Sequence, residues 1–440
     1  MSRLIILQRF LALAVFLFIG CCALSLKGAA PPERGAAEGE SLNIIRITLQ
    51  ECLESAQNAS PVLLAERCKV LISKNNRREA DAAFLPGIEA RLTHSNTYGS
   101  YLEVEGSWLL FGGMERVYNQ MSGRCGEQVQ EAMLDYARRS VRISVLEAAA
   151  NVLLARRMAD NALSAIEALE AQVEQCSREL EAGKVARSSL MELQAELGEE
   201  RMAHIESLGN LRNCNIRLME AIGMERKSSS VALREEIYLE DLELEGLLQE
   251  YPLPSYEHLC QSVDSDPEIV ACRAESLRQE YSLKAAYGAL LPKISAGYLY
   301  SRGASNSPIM ERRWEIKAAI PIFNGRSASL ARRNAALNLE ISRRELQQKR
   351  LALQSRLEEA WNNAITAEAK VEAAKERLRA AEEALRCATL RFNAGSANGM
   401  EFIVSRSSAR RARLEYDTNL CKLLLNRMLL QCYCKYMEFF

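Results

Sequence analysis

Leu353 to Ala388 reads LQSRLEEAWNNAITAEAKVEAAKERLRAAEEALRCA, and the phase of its apolar residues decides the fold. Leu353, Leu357, Ala360, Ala364, Ala367, Val371, Ala374, Leu378, Ala381, Leu385 and Ala388 recur at alternating steps of four and three, with Glu, Lys and Arg between them. That is the a/d seam of a long helix packed in coiled-coil fashion. From Arg326 to Ala394 neither Gly nor Pro interrupts it. At ~1.5 Å per residue such a helix spans roughly 100 Å, too long for an ordinary globular domain, so it needs partners along its whole length.

The chain supplies one partner itself. Shifted back by 212 positions, the seam falls on Val141, Val145, Ala148, Val152, Ala155, Ala159, Ala162, Ile166, Leu169, Val173 and Cys176, all apolar. Gly113 matches Gly325 before the helix, and Ala182-Gly183 matches Ala394-Gly395 after it. Upstream the shift is 206, pairing Leu53 with Leu259, Pro61 with Pro267, and Leu85-Pro86 with Leu291-Pro292. The chain is an internal duplication with one loop lengthened in the second copy, between Ile88 and Gly113 of the first.

Between the prolines and the long helices the period changes from 3.6 to 2. Ile88, Ala90 and Leu92 alternate with Glu89, Arg91 and Thr93; Leu102, Val104, Gly106, Trp108 and Leu110 alternate with Glu103, Glu105 and Ser107. The second copy sets Ile294, Ala296, Tyr298 and Tyr300, then Trp314, Ile316, Ala318 and Ile320, against polar neighbours. These predict four strands of about ten residues, the length a tilted membrane-spanning strand needs. A soluble hairpin lying on a core is the alternative, but the seams occupy the helices with each other and leave nothing to cover the strands. Four strands cannot close a barrel alone, and open edges are not tolerated in lipid, so several protomers must contribute.

Composition narrows the rest. A net charge of −1 over 440 residues gives no electrostatic footprint for nucleic acid. Thirteen cysteines scatter without CxxC pairs, and His94, His204 and His258 lie far apart, so neither a metal site nor a catalytic constellation emerges. The chain is read as a non-enzyme without a cofactor. Arg3 and Arg9 followed by apolar Leu11–Gly20 predict a secretory signal over 1–21. Phe18-Ile19-Gly20-Cys21 resembles a lipobox in which Cys21 is acylated, and cleavage near Gly28-Ala29-Ala30 is the alternative. A flexible leader over 22–44 follows, with helix starting near Thr48, the N-cap, and Glu51 three residues on. A first repeat spans 45–224 (strands about 87–111, helical hairpin about 114–222) and a second spans 256–435 (strands about 293–323, hairpin about 326–431). The 225–255 stretch between them is an acidic connector with a short helix, and 436–440 is a short tail.

The ordered pieces resemble the TolC family of outer-membrane efflux and secretion channels, over about residues 48–435. Leu85-Pro86 and Leu291-Pro292 precede the strands. Trp108-Leu109-Leu110-Phe111-Gly112-Gly113 and Ile320-Pro321-Ile322-Phe323-Asn324-Gly325 resemble the family's strand-to-helix signature, and Gly183 and Gly395 its helix-hairpin tips. The resemblance implies a mainly helical fold with a four-stranded β contribution. It further implies a homotrimer, in which a twelve-stranded β-barrel in outer-membrane lipid continues as a twelve-helix periplasmic α-barrel. The implied function is a passive exit duct for drugs, ions or polypeptides in a tripartite efflux pump or type I secretion system, with a periplasmic adaptor and an inner-membrane transporter as partners. Trp108, Tyr298, Trp314 and Ile316 would face lipid. The family's pore constriction maps onto Glu401, Phe392 and Ser189, but Val404 and Ala397 replace other members of its polar tie network. Two readings compete: a lipid-anchored periplasmic coiled-coil scaffold, which leaves the strands unexplained, and a poreless adaptor, for which no lipoyl-like domain is present.

Overall fold

A computed structural model describes residues 43–95, 99–182, 186–224, 235–239, 246, 248–249, 251–303, 310–323, 325–394 and 399–434. Cys21, Gly183 and Gly395 lie outside the described residues. In chain order the elements are β1 (Asn43–Ile47), α1 (Leu49–Ala59), α2 (Pro61–Ala82), β2 (Gly87–Ser95), β3 (Gly99–Gly112), α3 (Glu115–Glu181) and α4 (Arg187–Ile222). There follow β4 (Glu235–Leu239), α5 (Tyr256–Ser262), a 3-10 turn (Val263–Ser265), α6 (Pro267–Gly288), β5 (Lys293–Gly303), β6 (Met310–Ala319), α7 (Ser327–Asn393) and α8 (Gly399–Cys434).

The duplication is carried residue for residue into structure. α3 and α7 each have 67 residues, α4 and α8 each have 36, and α2 and α6 each have 22. Local chemistry sets the boundaries. Thr48 and Glu51 form a capping box at α1, Pro61 and Pro267 open α2 and α6, and the Asp266 carboxylate accepts from Glu268 N–H at 2.8 Å. Each strand turns into its long helix through two left-handed residues, Gly113 and Met114 in the first copy and Gly325 and Arg326 in the second.

α3 packs on α4, α7 on α8, and α8 on α3. Along α3 the seam is buried from Val145 to Leu169 and again at Cys176; along α7, Leu353, Leu357, Ala364, Ala367, Val371, Ala374 and Ala388 are buried. Repeat-equivalent residues close equivalent cores. Val145 and Leu218 meet Cys52 and Ala56 in the first repeat, while Leu357 and Leu430 meet Leu259 and Val263 in the second. The eleven described cysteines carry free thiols. Burial pushes the Cys421 thiol up to about 11, and it serves as a small apolar residue.

The strands form one antiparallel sheet in the order β2-β3-β5-β6. A bulge between Leu109 and Phe111 shifts the phase of β3, so Phe111 opposite Ile294, and not Leu110, continues the row begun by Leu102 and Trp108. β6 ends at Ala319, before Ile320. The ends of the chain's leader and connector also differ from the sequence reading. Asn43 and Ile44, expected in the leader, begin β1, and the connector contains β4; the two pair in parallel from Asn43↔Glu235 to Ile47↔Leu239. Five residues each, with acidic Glu235 and Glu236 at the start of one, leave too little alternation to be seen in sequence.

One of the lines of contact between the two copies runs where α3 lies along α6. Gly113 and Gly288 approach so closely that a Cβ on Gly288 would lie 2.9 Å from the Glu115 nitrogen. Ser122 and Ser282 hydroxyls lie 3.4 Å apart, and Lys293 pairs with Glu115 at 2.9 Å. Farther along, the Arg139 guanidinium forms a two-pronged ion pair with Asp266, both almost wholly buried, with the Tyr433 ring 4.6 Å away. Burial alone would depress the Arg139 guanidinium; the Asp266 hydrogen bond and charge outweigh it and hold it above its ordinary value. Arg139→Ala should therefore strand a buried carboxylate and cost about 3–5 kcal/mol, read as a lowered denaturation midpoint. A wild-type midpoint would show that the pair does not hold the two copies together.

Candidate functional site

The sheet has one apolar and one charged face. Register places Ile88, Ala90 and Leu92 beside Leu102, Val104, Gly106 and Trp108, then Ala296, Tyr298 and Tyr300, then Trp314 and Ile316. Trp108, Tyr298, Trp314 and Ile316 share this face and are 47, 50, 76 and 64% exposed. The Trp108 indole N–H donates to the Phe84 carbonyl at 2.9 Å, tying the face to the helical end. The opposite face carries Glu89, Arg91, Glu103, Glu105, Glu311, Arg313, Glu315 and Lys317. Its cations are paired within it: Arg91 with Glu89, Arg313 with Glu311 and Glu315, and Lys317 with Glu315.

At the far end of the rods, Phe392 near the end of α7 stacks on Phe402 of α8, with centroids 5.4 Å apart and planes at 30°. Phe402 is buried, and its neighbour Ile403 packs on Ile166, Leu169 and Leu193 of the other hairpin. Glu401 is exposed and accepts from Arg391 at 3.2 Å, so its charge is matched from the preceding helix. Ser189 lies in the first turn of α4, where its N–H donates to the Ala186 carbonyl. Phe392 and Glu401 thus belong to one aromatic and ionic clasp across the α7–α8 turn, while Ser189 stands on the other hairpin.

Sequence reading missed a second polar centre. An open cavity of about 210 Å³ is lined by residues of all four long helices: Asn161 and Ala165 of α3, Glu196 and Glu200 of α4, Glu382 of α7, and Arg406, Arg410 and Arg413 of α8. Arg410 donates to buried Glu200 at 2.6 Å, Arg406 donates to the Ala165 carbonyl at 2.5 Å, and Arg413 reaches Glu382 at 3.4 Å. Deeper along the rods, buried Asp417 accepts from Asn161 at 3.1 Å. The signal was present in the sequence. Glu200 follows Leu193 and Leu197 on the four-three spacing, so a charge occupies an apolar slot. Burial, and then the Glu199 and Glu200 charges, raise the Glu196 carboxyl above its ordinary value, with Arg410 and Arg406 opposing.

That direction fixes a pH dependence. The folded state binds the Glu196 proton more tightly than the unfolded chain, so stability falls as pH rises from the ordinary glutamate value through the raised one. Glu196→Gln should then raise the melting temperature at about pH 8 and leave it unchanged at about pH 4. Equal shifts at both pH values would remove Glu196 as the source.

Among the described residues no group of His, Cys, Asp and Glu could hold a metal ion, and no helix is long and apolar enough to cross a membrane. The sequence profile of the family described as outer membrane efflux protein matches residues 259–424. No curated protein matches the chain by sequence. Solved structures do match by fold. CusC, whose structures concern transmembrane channel formation, aligns with a TM-score of 0.76 at 15% identity, covering 94% of this chain and 99% of its own. The CmeC outer membrane channel of Campylobacter jejuni gives 0.73 at 15% identity, covering 94% and 95%. The MtrE outer membrane channel of Neisseria gonorrhoeae, in its open state, gives 0.70 at 16% identity, covering 94% and 98%.

Proposed function

We propose that this chain, a TolC-like member of the outer membrane efflux protein family and not an enzyme, is one protomer of a homotrimeric exit duct. Twelve strands from three copies close a barrel in the outer membrane, and twelve long helices continue it as a tunnel through the periplasm. The apolar sheet face meets lipid and the charged face lines water. The duct is passive, serving a tripartite efflux pump or a type I secretion system, with a periplasmic adaptor and an inner-membrane transporter supplying the drive.

The observation that carries this reading is a broken symmetry inside the protomer. Between the copies, α3 packs on α6 and β3 pairs with β5. By the duplication, α7 and β6 are the counterparts of α3 and β3, and α2 and β2 are those of α6 and β5. Among the described residues β6 and β2 are both open sheet edges. The helical counterparts are open too. Buried Cys125 and Arg139 of α3 become Leu337 and Leu351 of α7, both more than half exposed, and buried Glu268 and Ala274 of α6 become exposed Val62 and Cys68 of α2. Gly113, pressed against Gly288, becomes Gly325, with nothing within 4 Å. A second copy turned about a common axis fills every one of these faces with the contact its twin already makes, and repetition closes a ring. A scaffold or adaptor gives no reason for both strand edges to be left bare.

The same mapping fixes a register. Gly106↔Tyr298 within the protomer becomes Ala318 opposite Leu92 of the next copy. Leu92→Cys with Ala318→Cys should form an oxidised, covalently closed trimer that neither single variant forms, in a protein that conducts ions across a planar bilayer. Failure to cross-link, with conductance intact, would refute the register; failure of both would refute the duct.

Selectivity provides a second test. Glu401 contributes three carboxylates near the narrow end of the duct, each matched by Arg391. Arg391→Gln should unmask them and increase cation preference, more so at low salt where screening is weak. An unaltered reversal potential under a salt gradient would place the selecting charges elsewhere, with Glu103 and Glu105 on the watered strand face as the next candidates.

A further inference from the structure

The apolar sheet face carries two cations that the duct does not explain. Arg302 of β5 and Arg312 of β6 stand on the face of Tyr298, Trp314 and Ile316, at the strand ends remote from the helices. Register sets Arg302 beside Leu102, and Arg312 opposite Tyr300, with its guanidinium 5.6 Å from that ring's centroid. Both arginines are exposed. No Asp or Glu occurs on this face of the four strands, and among the described residues neither arginine has an ion pair. The contrast with the other face is sharp, since Arg91, Arg313 and Lys317 there each hold a glutamate.

Position says what would complete them. From Ile294 to Arg302 the strand rises about 27 Å, or about 20 Å along the membrane normal at a tilt near 40°, close to the height of a barrel's apolar band. Trp314 and Tyr298 fall one pair inside the arginines, as aromatic residues do at the edge of such a band. A guanidinium at that level has acyl chains below it and head groups beside it, and its fork of N–H donors matches phosphate oxygens. We propose that Arg302 and Arg312 together bind the phosphate of an anionic lipid in the leaflet at the loop end of the strands, while Leu92, Leu102 and Trp314 receive its acyl chains. In a trimer this makes three equivalent sites. The site rests on the sheet lying in a bilayer, so its test separates the two.

The full chain in neutral detergent is titrated with phosphatidylglycerol or phosphatidylcholine, and bound lipid is counted by native mass spectrometry. Wild type should retain phosphatidylglycerol in preference to phosphatidylcholine. R302Q/R312Q should weaken that retention about fivefold for each arginine removed, R302K/R312K should keep most of it, and R313Q on the opposite face should leave it unchanged. Equal retention of the two lipids by wild type, or undiminished retention by R302Q/R312Q, overturns the site. So does competition by inorganic phosphate, which would make the arginines a general anion site. If the glutamine variant fails to fold, the wild-type preference decides by itself. Flotation of wild type with phosphatidylcholine vesicles reports insertion independently. Insertion without lipid preference overturns this site alone, and failure to insert overturns the duct as well.

Discussion

The two halves of this chain are held in register along one line, where α3 runs beside α6. At the sheet end the line is backbone on backbone, because Gly113 and Gly288 have no Cβ to keep them apart. At the middle it is a buried charge pair, Arg139 on Asp266, whose carboxylate also caps α6. Beyond the glycine contact the same two copies continue into the β3–β5 pairing that makes one sheet of two hairpins. The duplication does not copy this line. Arg139 becomes Leu351 and Asp266 becomes Ser60, so on the trimeric reading the equivalent contact to a neighbouring copy would be neutral. A guanidinium opposite Ser60 would be buried without a counter-charge, at a cost of several kcal/mol. On the trimeric reading, the charge pair would distinguish the contact within a protomer from the otherwise similar one between protomers.

Legibility in the sequence tracked how often a pattern repeated. The seam ran over many heptads and appeared twice, so Leu353, Ala364 and their partners Val141 and Val152 could be placed on one helical face from spacing alone. Strand alternation survived over ten residues, and Trp314, Ile316 and Tyr298 do share a face. One extra residue in β3 was enough to mislead it at Leu110, since a bulge changes phase without changing composition. β1 and β4 went unseen because five residues offer no period, and their pairing joins positions nearly two hundred residues apart. The cavity between the hairpins was overlooked for a different reason. Glu200 occupies a seam position with Arg406 and Arg410 half-buried beside it, and a pattern search for apolar residues passes over charges that interrupt it.

Those interruptions bear on how the helical end is built. On the duct reading, the tips are closed by two kinds of bond. Within the second hairpin, Phe392 stacks on Phe402 and Arg391 pairs with Glu401. Between the hairpins, Arg410 reaches Glu200 and Arg406 reaches the Ala165 carbonyl. The polar ties that the TolC resemblance implies close to the tip are replaced here by Val404 and Ala397. The inter-hairpin ties therefore sit about three to four helical turns back from it, beside the cavity. Holding the hairpins there leaves the tips themselves joined to one another mainly by apolar contact, Ile403 on Leu193 and Leu169.

A cavity at that level has a physical consequence. Close-packed helices resist sliding because every side chain fills a fixed hole. Where about 210 Å³ is left open and lined with paired charges, Arg406, Arg410 and Arg413 can exchange partners among Glu196, Glu200 and Glu382 without creating a void. The Ala-rich seam on either side, Ala364 and Ala374 in one direction and Ala388 in the other, is too tightly packed for such exchange. Close packing is thus interrupted at the cavity, between stretches of the rods whose seams are buried. On the duct reading, opening at the tips with the barrel closed would call for a compliant level between the two, and the cavity is where charge has replaced close packing.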